Sequence, residues 1–214
     1  MKNEEKIKAL KSFLDGLYPN TECFLNHSND YELLFAVMMS AQAQDKVVNK
    51  VTEILFQKYS NLKSFAETDP SKISDIIKPV GLAPTKSRNI VKSAKILLRD
   101  YGGKVPSERE NLMSLPGVGY KTASVVRGEW FHLNEYPVDT HVRRIMTRLE
   151  IAEKSDTPTE IEKKLSKLYD GADSMHFHRQ VITFGRQICL AGTNRHCQAC
   201  LLPWCKYRIV GIDE

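Results

Sequence analysis

Two side chains of opposite charge carry the chemistry open to this chain: Lys121, in Leu115-Pro116-Gly117-Val118-Gly119-Tyr120-Lys121, and Asp139, eighteen residues on, in Val138-Asp139-Thr140-His141. Glycines at 117 and 119 allow a tight turn that brings amide N–H groups, Val118 included, up to an anion, and the helix starting there adds its positive N-terminal end. Such a turn grips a nucleic-acid backbone without reading bases. A lysine on the first turn of that helix can do more, because a deprotonated amine attacks electrophilic carbon and forms a Schiff base. With an ordinary pKa of about 10.4, the amine must first be activated by desolvation, cationic neighbours or a base. Asp139 follows Pro137 at a helix N-cap position. A carboxylate there can stabilise positive charge on a reacting carbon and help take the lysine's proton. The pair points to chemistry on DNA.

A second constellation lies near the C-terminus, where Cys189, Cys197, Cys200 and Cys205 are spaced C-x7-C-x2-C-x4-C. Thiols this dense in a chain with no secretory features argue for metal rather than disulfides, and the spacing alone accepts either tetrahedral zinc or an iron–sulfur cluster. His196, beside Cys197, reads as a surface histidine. Cys23 stands far from the others and reads as a buried thiol.

These residues must be held by helices. Apolar residues recur at helical spacing and strand alternation is nearly absent, so the expected fold class is all-α. Ile7, Leu10, Leu14 and Leu17 form a first stripe; Leu33, Leu34, Val37, Met38 and Ala41 a second; Val47, Val48, Val51, Ile54 and Leu55 a third, starting near Asp45. Asp69-Pro70 reads as an N-cap with proline at the first helical position. Ile90 to Tyr101 is the most regular stripe, stopped by Gly102-Gly103. Ser107 and Glu110, like Thr157 and Glu160, read as capping boxes opening helices, and a last helix is expected from about Phe177 to Ile188. His176 and His178, two apart, do not share a helix face and so make poor joint metal ligands. Trp130, Phe131 and Trp204 read as packing residues.

The chain of 214 residues can bury a core alone, so a monomer is expected. Its longest apolar run, Leu33 to Met39, has seven residues, against roughly 20 for a membrane span. The N-terminal Met1 to Lys6 mixes charges without a signal-peptide apolar block, which makes a cytoplasmic, nucleoid-associated location the expectation. The net charge of +5 is modest, but Ser174 to Ile212 and Ser114 to Gly128 contain no acid at all. Both stretches coincide with motifs, as expected for a face that meets phosphate.

The segments LPGVGYKTASVV and VDTHVRR resemble the helix-hairpin-helix and aspartate segments of endonuclease III-type DNA glycosylases, and DYELLFAVMMSAQAQD, VGLAPTKSRNI and the terminal cysteines extend the likeness over nearly the whole chain. The resemblance implies Lys121 as nucleophile and Asp139 as essential carboxylate. It implies a two-lobe helix-hairpin-helix glycosylase fold: a helical domain at 22–134 with the hairpin region at about 107–132, and a cluster domain of 1–21 plus 135–214. It also tips the cysteine site to a [4Fe-4S] cluster at 189–205 held by Cys189, Cys197, Cys200 and Cys205. The family's usual spacing is C-x6-C-x2-C-x5-C, so the central pair sits one residue later here. Arg195 in that loop is the implied DNA contact. Gln42, in Ser40-Ala41-Gln42-Ala43, and Leu82, in Val80-Gly81-Leu82, match residues that wedge into duplex at a flipped nucleotide; alternatively Gln42 bonds at a helix end and Leu82 joins the core.

The implied activity is removal of oxidised pyrimidines from double-stranded DNA, with cleavage 3′ to the abasic site by β-elimination through a lysine Schiff base. Two alternatives remain: an adenine-mismatch glycosylase of the same superfamily, which Lys121 and the end at Glu214 disfavour, and a non-catalytic, zinc-stabilised DNA-binding protein.

Overall fold

The structure is a computed structural model that describes residues 1–169, 171, 173–192, 202, 204 and 205. Secondary structure among the described residues is helical throughout: α1 (Asn3–Leu17), α2 (Asp30–Ser40), α3 (Asp45–Lys58), α4 (Leu62–Glu67), α5 (Pro70–Ile77), a 3-10 turn (Lys78–Val80), α6 (Ala83–Asp100), α7 (Arg109–Met113), α8 (Tyr120–Glu129), α9 (Thr140–Arg148), α10 (Pro158–Leu168) and α11 (Ser174–Gln187). Two compact units divide them, one formed by Cys23–Phe131 and the other by Met1–Glu22 with His132–Glu214.

In the Cys23–Phe131 unit the apolar run becomes the central helix. Leu33 through Met39 are all buried, so α2 is apolar all round and must be covered on every side. It packs against α3, α6 and α8, while α6 packs against α4 and α5. Asn29 starts α2 by accepting a hydrogen bond from the Glu32 amide at 3.0 Å. Phe35 and Phe65 fill the interior with ring centroids 5.1 Å apart. Trp130 and Phe131 pack on this core as expected, and so does Cys23, which is half-buried rather than buried.

In the other unit α11 packs against α9 and α1, and α10 against α1 and α9. Ile7, Leu10 and Leu14 are buried, but Leu17 is exposed, so the α1 stripe is one residue shorter than its spacing suggests. Thr157 and Glu160 form the expected capping box, and Asp69 caps α5 through the Ser71 amide. Ser107 does not: α7 starts at Arg109, and the Ser107 hydroxyl donates to Glu108 instead. No helix among the described residues is long and apolar enough to cross a membrane.

Candidate active site

The hairpin between α7 and α8 is a hydrophobic clasp with an exposed rim. Leu115 and Val118 are buried, and the Val118 amide donates to the Leu115 carbonyl at 3.1 Å. Val118 therefore anchors the turn with both its side chain and its N–H. The Gly119 and Lys121 amides find no acceptor among the described residues, as expected for a helix start open to an anion. Only Gly117 needs to be glycine for its own conformation, with φ +82° and Asn89 Nδ2 just 2.5 Å from where a Cβ would stand. Gly119 is in the extended region, φ −93°, and caps α8.

Lys121 is the second residue of α8, and it is exposed. The arms on either side are cross-tied. The Arg109 guanidinium lies 4.2 Å over the Tyr120 ring and donates to Ser124 Oγ at 2.7 Å, and Arg127 donates to the Ser107 carbonyl. Arg109 thus ties α7 to α8, and Arg127 ties α8 to the segment leading into α7.

Two further loops of the same unit carry the residues matched to a wedge. Gln42 has φ +59° and Leu82 φ +51°, both left-handed, a conformation that costs a non-glycine residue on the order of 1–2 kcal/mol. Gly81 precedes Leu82 with φ +71°. Leu82 is not core: it is 60% exposed, and Gln42 is exposed as well. Beneath them Lys86 is buried, its ammonium donating to the carbonyls of Met39 at 2.8 Å, Ala41 at 2.8 Å and Val80 at 2.9 Å. Burial pushes this amine below the ordinary lysine value. Sequence reasoning passed Lys86 over, although it stands with Ala83, Ile90, Ala94 and Leu97 on the buried stripe of α6, where a lysine demands an explanation.

In the Met1–Glu22 and His132–Glu214 unit, Asp139 is the N-cap of α9 and its Oδ1 accepts from the Val142 amide at 2.7 Å. His141 pairs through Nδ1 with Arg144 Nη2 at 3.1 Å, a local bond within the first turns of α9. Burial pushes the His141 imidazole below its ordinary value, the charges of Arg144 and Arg186 act the same way, and Asp139 opposes them.

The other end of α9 meets the cysteines. Arg144 donates to the Cys189 and Gly185 carbonyls, at 3.0 and 2.8 Å. Arg148 Nη1 donates to the Leu190 carbonyl at 2.7 Å and lies 3.1 Å from Cys189 Sγ, while Cys205 Sγ lies 3.9 Å from the Arg148 carbonyl oxygen. One residue of α9 thus touches both Cys189 and Cys205. Cys197, Cys200 and Arg195 lie outside the described residues. Among the described residues no group of three or more His, Cys, Asp or Glu is placed to hold a metal ion. Trp204 lies under Lys6, whose ammonium is 5.9 Å from the ring centroid.

Comparison with known proteins gives these pieces a common frame. A sequence model of the HhH-GPD superfamily base excision DNA repair protein matches residues 35–170. Endonuclease III of Bacillus subtilis is 39% identical over 206 residues, covering 96% of this chain and 94% of that protein. Endonuclease III of Escherichia coli is 37% identical over 192 residues, 89% of each. Among solved structures, a trapped covalent endonuclease III–DNA intermediate with an estranged adenine superposes with a TM-score of 0.88 at 38% identity over 94% of both chains. A non-covalent endonuclease III–DNA complex gives 0.90 at 37% identity over 96% of both. The likeness runs through the hairpin, the α9 cap and the helices that hold them, and on that breadth the chain belongs to the endonuclease III family of HhH-GPD base excision DNA repair proteins.

Proposed function

We propose that this chain is a bifunctional DNA glycosylase and abasic-site lyase acting on oxidised pyrimidines in double-stranded DNA. The observation that carries the reading is the exposed Lys121 at the start of α8, beside a Gly119 amide that finds no acceptor among the described residues. A backbone phosphate received there leaves the amine within reach of the neighbouring sugar. That the relatives are endonucleases III supports the same activity, and an endonuclease III of known structure was trapped as a covalent DNA intermediate.

In this reading Lys121 Nζ attacks the sugar C1′ and the glycosidic electron pair leaves with the base. Loss of the amine proton and ring opening give the Schiff base. A proton then leaves C2′ and the C3′–O3′ bond breaks, nicking the strand on the 3′ side. Asp139 stabilises the positive charge developing on the sugar and helps accept the lysine proton. The helical domain, 22–134, supplies the nucleophile and the phosphate grip; the cluster domain, 1–21 with 135–214, supplies the carboxylate. The protein works as a monomer in the cytoplasm, on nucleoid DNA.

Cys189, Cys197, Cys200 and Cys205 would hold a [4Fe-4S] cluster. The donor set fits, since four thiolates suit such a cluster, the two described cysteines both approach Arg148, and its guanidinium beside Cys189 complements an anionic centre. When bound, the cluster supplies structural cross-linking, and no step of the reaction runs through it. Arg195 would then face phosphate from the cluster loop.

Borohydride trapping tests the activity. Wild-type protein with abasic-site DNA should give a covalent adduct that Lys121→Ala abolishes; no adduct from iron-replete protein overturns the lyase assignment.

A further inference from the structure

Lys86 is a charged group placed where a protein interior normally excludes one, and its three acceptors are main-chain oxygens. Those oxygens belong to two loops distant in sequence. Met39 and Ala41 lead out of α2 into left-handed Gln42, and Val80 leads through Gly81 into left-handed Leu82. Each loop therefore ends on an exposed, conformationally strained residue, and one ammonium sits under both. The helix that carries Lys86 also reaches the hairpin. Asn89, on the next turn of α6, packs against Gly117, and Ser93 Oγ donates to the Pro116 carbonyl at 3.4 Å.

We infer that Lys86 is a positioning residue that locks the Gln42 and Leu82 loops into one wedge, set in register with the phosphate-gripping hairpin through α6. The inference rests on the functional reading above, because a wedge matters only if a nucleotide leaves the stack. An exposed apolar side chain suits insertion between base steps, and an exposed amide suits hydrogen bonding to a base that has lost its partner. A left-handed main chain persists only where its surroundings over-determine it. Here the ammonium does so, by fixing the carbonyl of Ala41 directly before Gln42 and that of Val80 two residues before Leu82. A lysine supplies three donors from one point, enough for three convergent carbonyls and no more.

A wedge contributes where a stacked, paired duplex must be opened, and little where the strand is already single. Strand nicking by wild-type protein and by Lys86→Met is therefore compared on the same abasic site in duplex and in single-stranded DNA. Lys86→Met should lose roughly tenfold or more on duplex, in keeping with the cost of small misplacements, and stay within about twofold of wild type on the single strand. Lys86→Arg, which keeps charge and donors, should recover part of the duplex rate. In a Gln42→Ala/Leu82→Ala background, adding Lys86→Met should change the duplex rate by less than about twofold, since coupled residues are non-additive. Equal losses on the two substrates, or full additivity with the wedge variants, overturn the inference. Should Lys86→Met fail to fold, Lys86→Gln carries the same comparison under the same criteria. If wild-type protein cuts neither substrate, the functional reading fails and this inference with it; if wild type cuts both and Lys86→Met loses equally on each, the inference alone fails.

Discussion

The Oδ1 atom of Asp139 accepts a hydrogen bond from the Val142 amide at 2.7 Å, so the carboxylate assigned to the chemistry also starts the helix on which it sits. The two roles can be separated by substitution. Asp139→Asn keeps a capping oxygen and should change stability by less than about 0.5 kcal/mol, whereas Asp139→Ala should cost roughly 1 kcal/mol. Both should lower strand nicking by about a hundredfold or more, the usual scale for a lost proton-transfer group. Thermal unfolding beside nicking rates checks this. An Asp139→Asn variant with near wild-type nicking would show that the negative charge is not required.

The two hairpin glycines should respond differently to alanine. At Gly117 the left-handed backbone alone costs alanine roughly 1–2 kcal/mol, which is about 2–8 °C in Tm for a chain of this size. A Cβ there would also meet Asn89 Nδ2 at 2.5 Å. At Gly119 nothing lies within 4 Å of a Cβ and φ is −93°. Gly119→Ala should therefore lower Tm less than Gly117→Ala, by the cost of a poorer helix cap alone, while weakening duplex binding, because the methyl would stand on the rim proposed to meet phosphate. Calorimetry and binding titration on both variants decide it; equal Tm losses contradict the distinction.

Acid should destabilise the fold in two stages. Burial holds His141 and His176 below their ordinary value, so the folded chain binds fewer protons than the unfolded one. Their contribution is present above about pH 6.5 and is lost as pH falls through the lowered folded values. Asp15 and Asp173 are buried in a way that would raise them, but hydrogen bonds from Gln180 and Lys11 to Asp15, and from Tyr169 and Lys11 to Asp173, hold both below the usual carboxylate range. Their contribution disappears at lower pH, below about 4. Tm should fall from neutral pH to about pH 5 and fall again further down. His141→Gln should flatten the first stage, and a Tm that is level across it contradicts the assignment.

Iron and sulfide analysis tests the cluster. Purified protein should contain both in equal amounts, and Cys205→Ser should lose them. Arg148→Met removes the donor to Leu190 and the cation beside Cys189, so it should retain less iron and unfold several degrees lower. Zinc without iron would assign a different centre.

Much of this was legible because the signals are local. Asn29, Asp69 and Thr157 each precede an apolar stripe and each caps a helix through its own side chain. Ser107 had the same local signature yet failed, because its carbonyl is tied to Arg127, twenty residues away, and α7 begins only at Arg109. α4, six residues long, is too short for periodicity to register, although Asn61 caps it through the Ser64 amide. Lys121 and Asp139 could be picked out because their neighbours in sequence define their settings. Arg148 could not, because its partners stand 41 and 42 residues away and are a sulfur and a main-chain oxygen to which no residue pattern points; Lys86 is marked by its place on the buried stripe of α6, but the three carbonyls it bonds are not.

The packing of α1 against α10 and α11 has a bearing on how the chain is made. The stripe of Ile7, Leu10 and Leu14 is made before the helices that bury it, which lie beyond residue 157. The Cys23–Phe131 unit is continuous in sequence and holds all of its own core, so it can fold while the rest is still being translated. Helix α1 must wait with its apolar face uncovered until α10 and α11 have been made, which leaves it open to off-pathway contacts during synthesis.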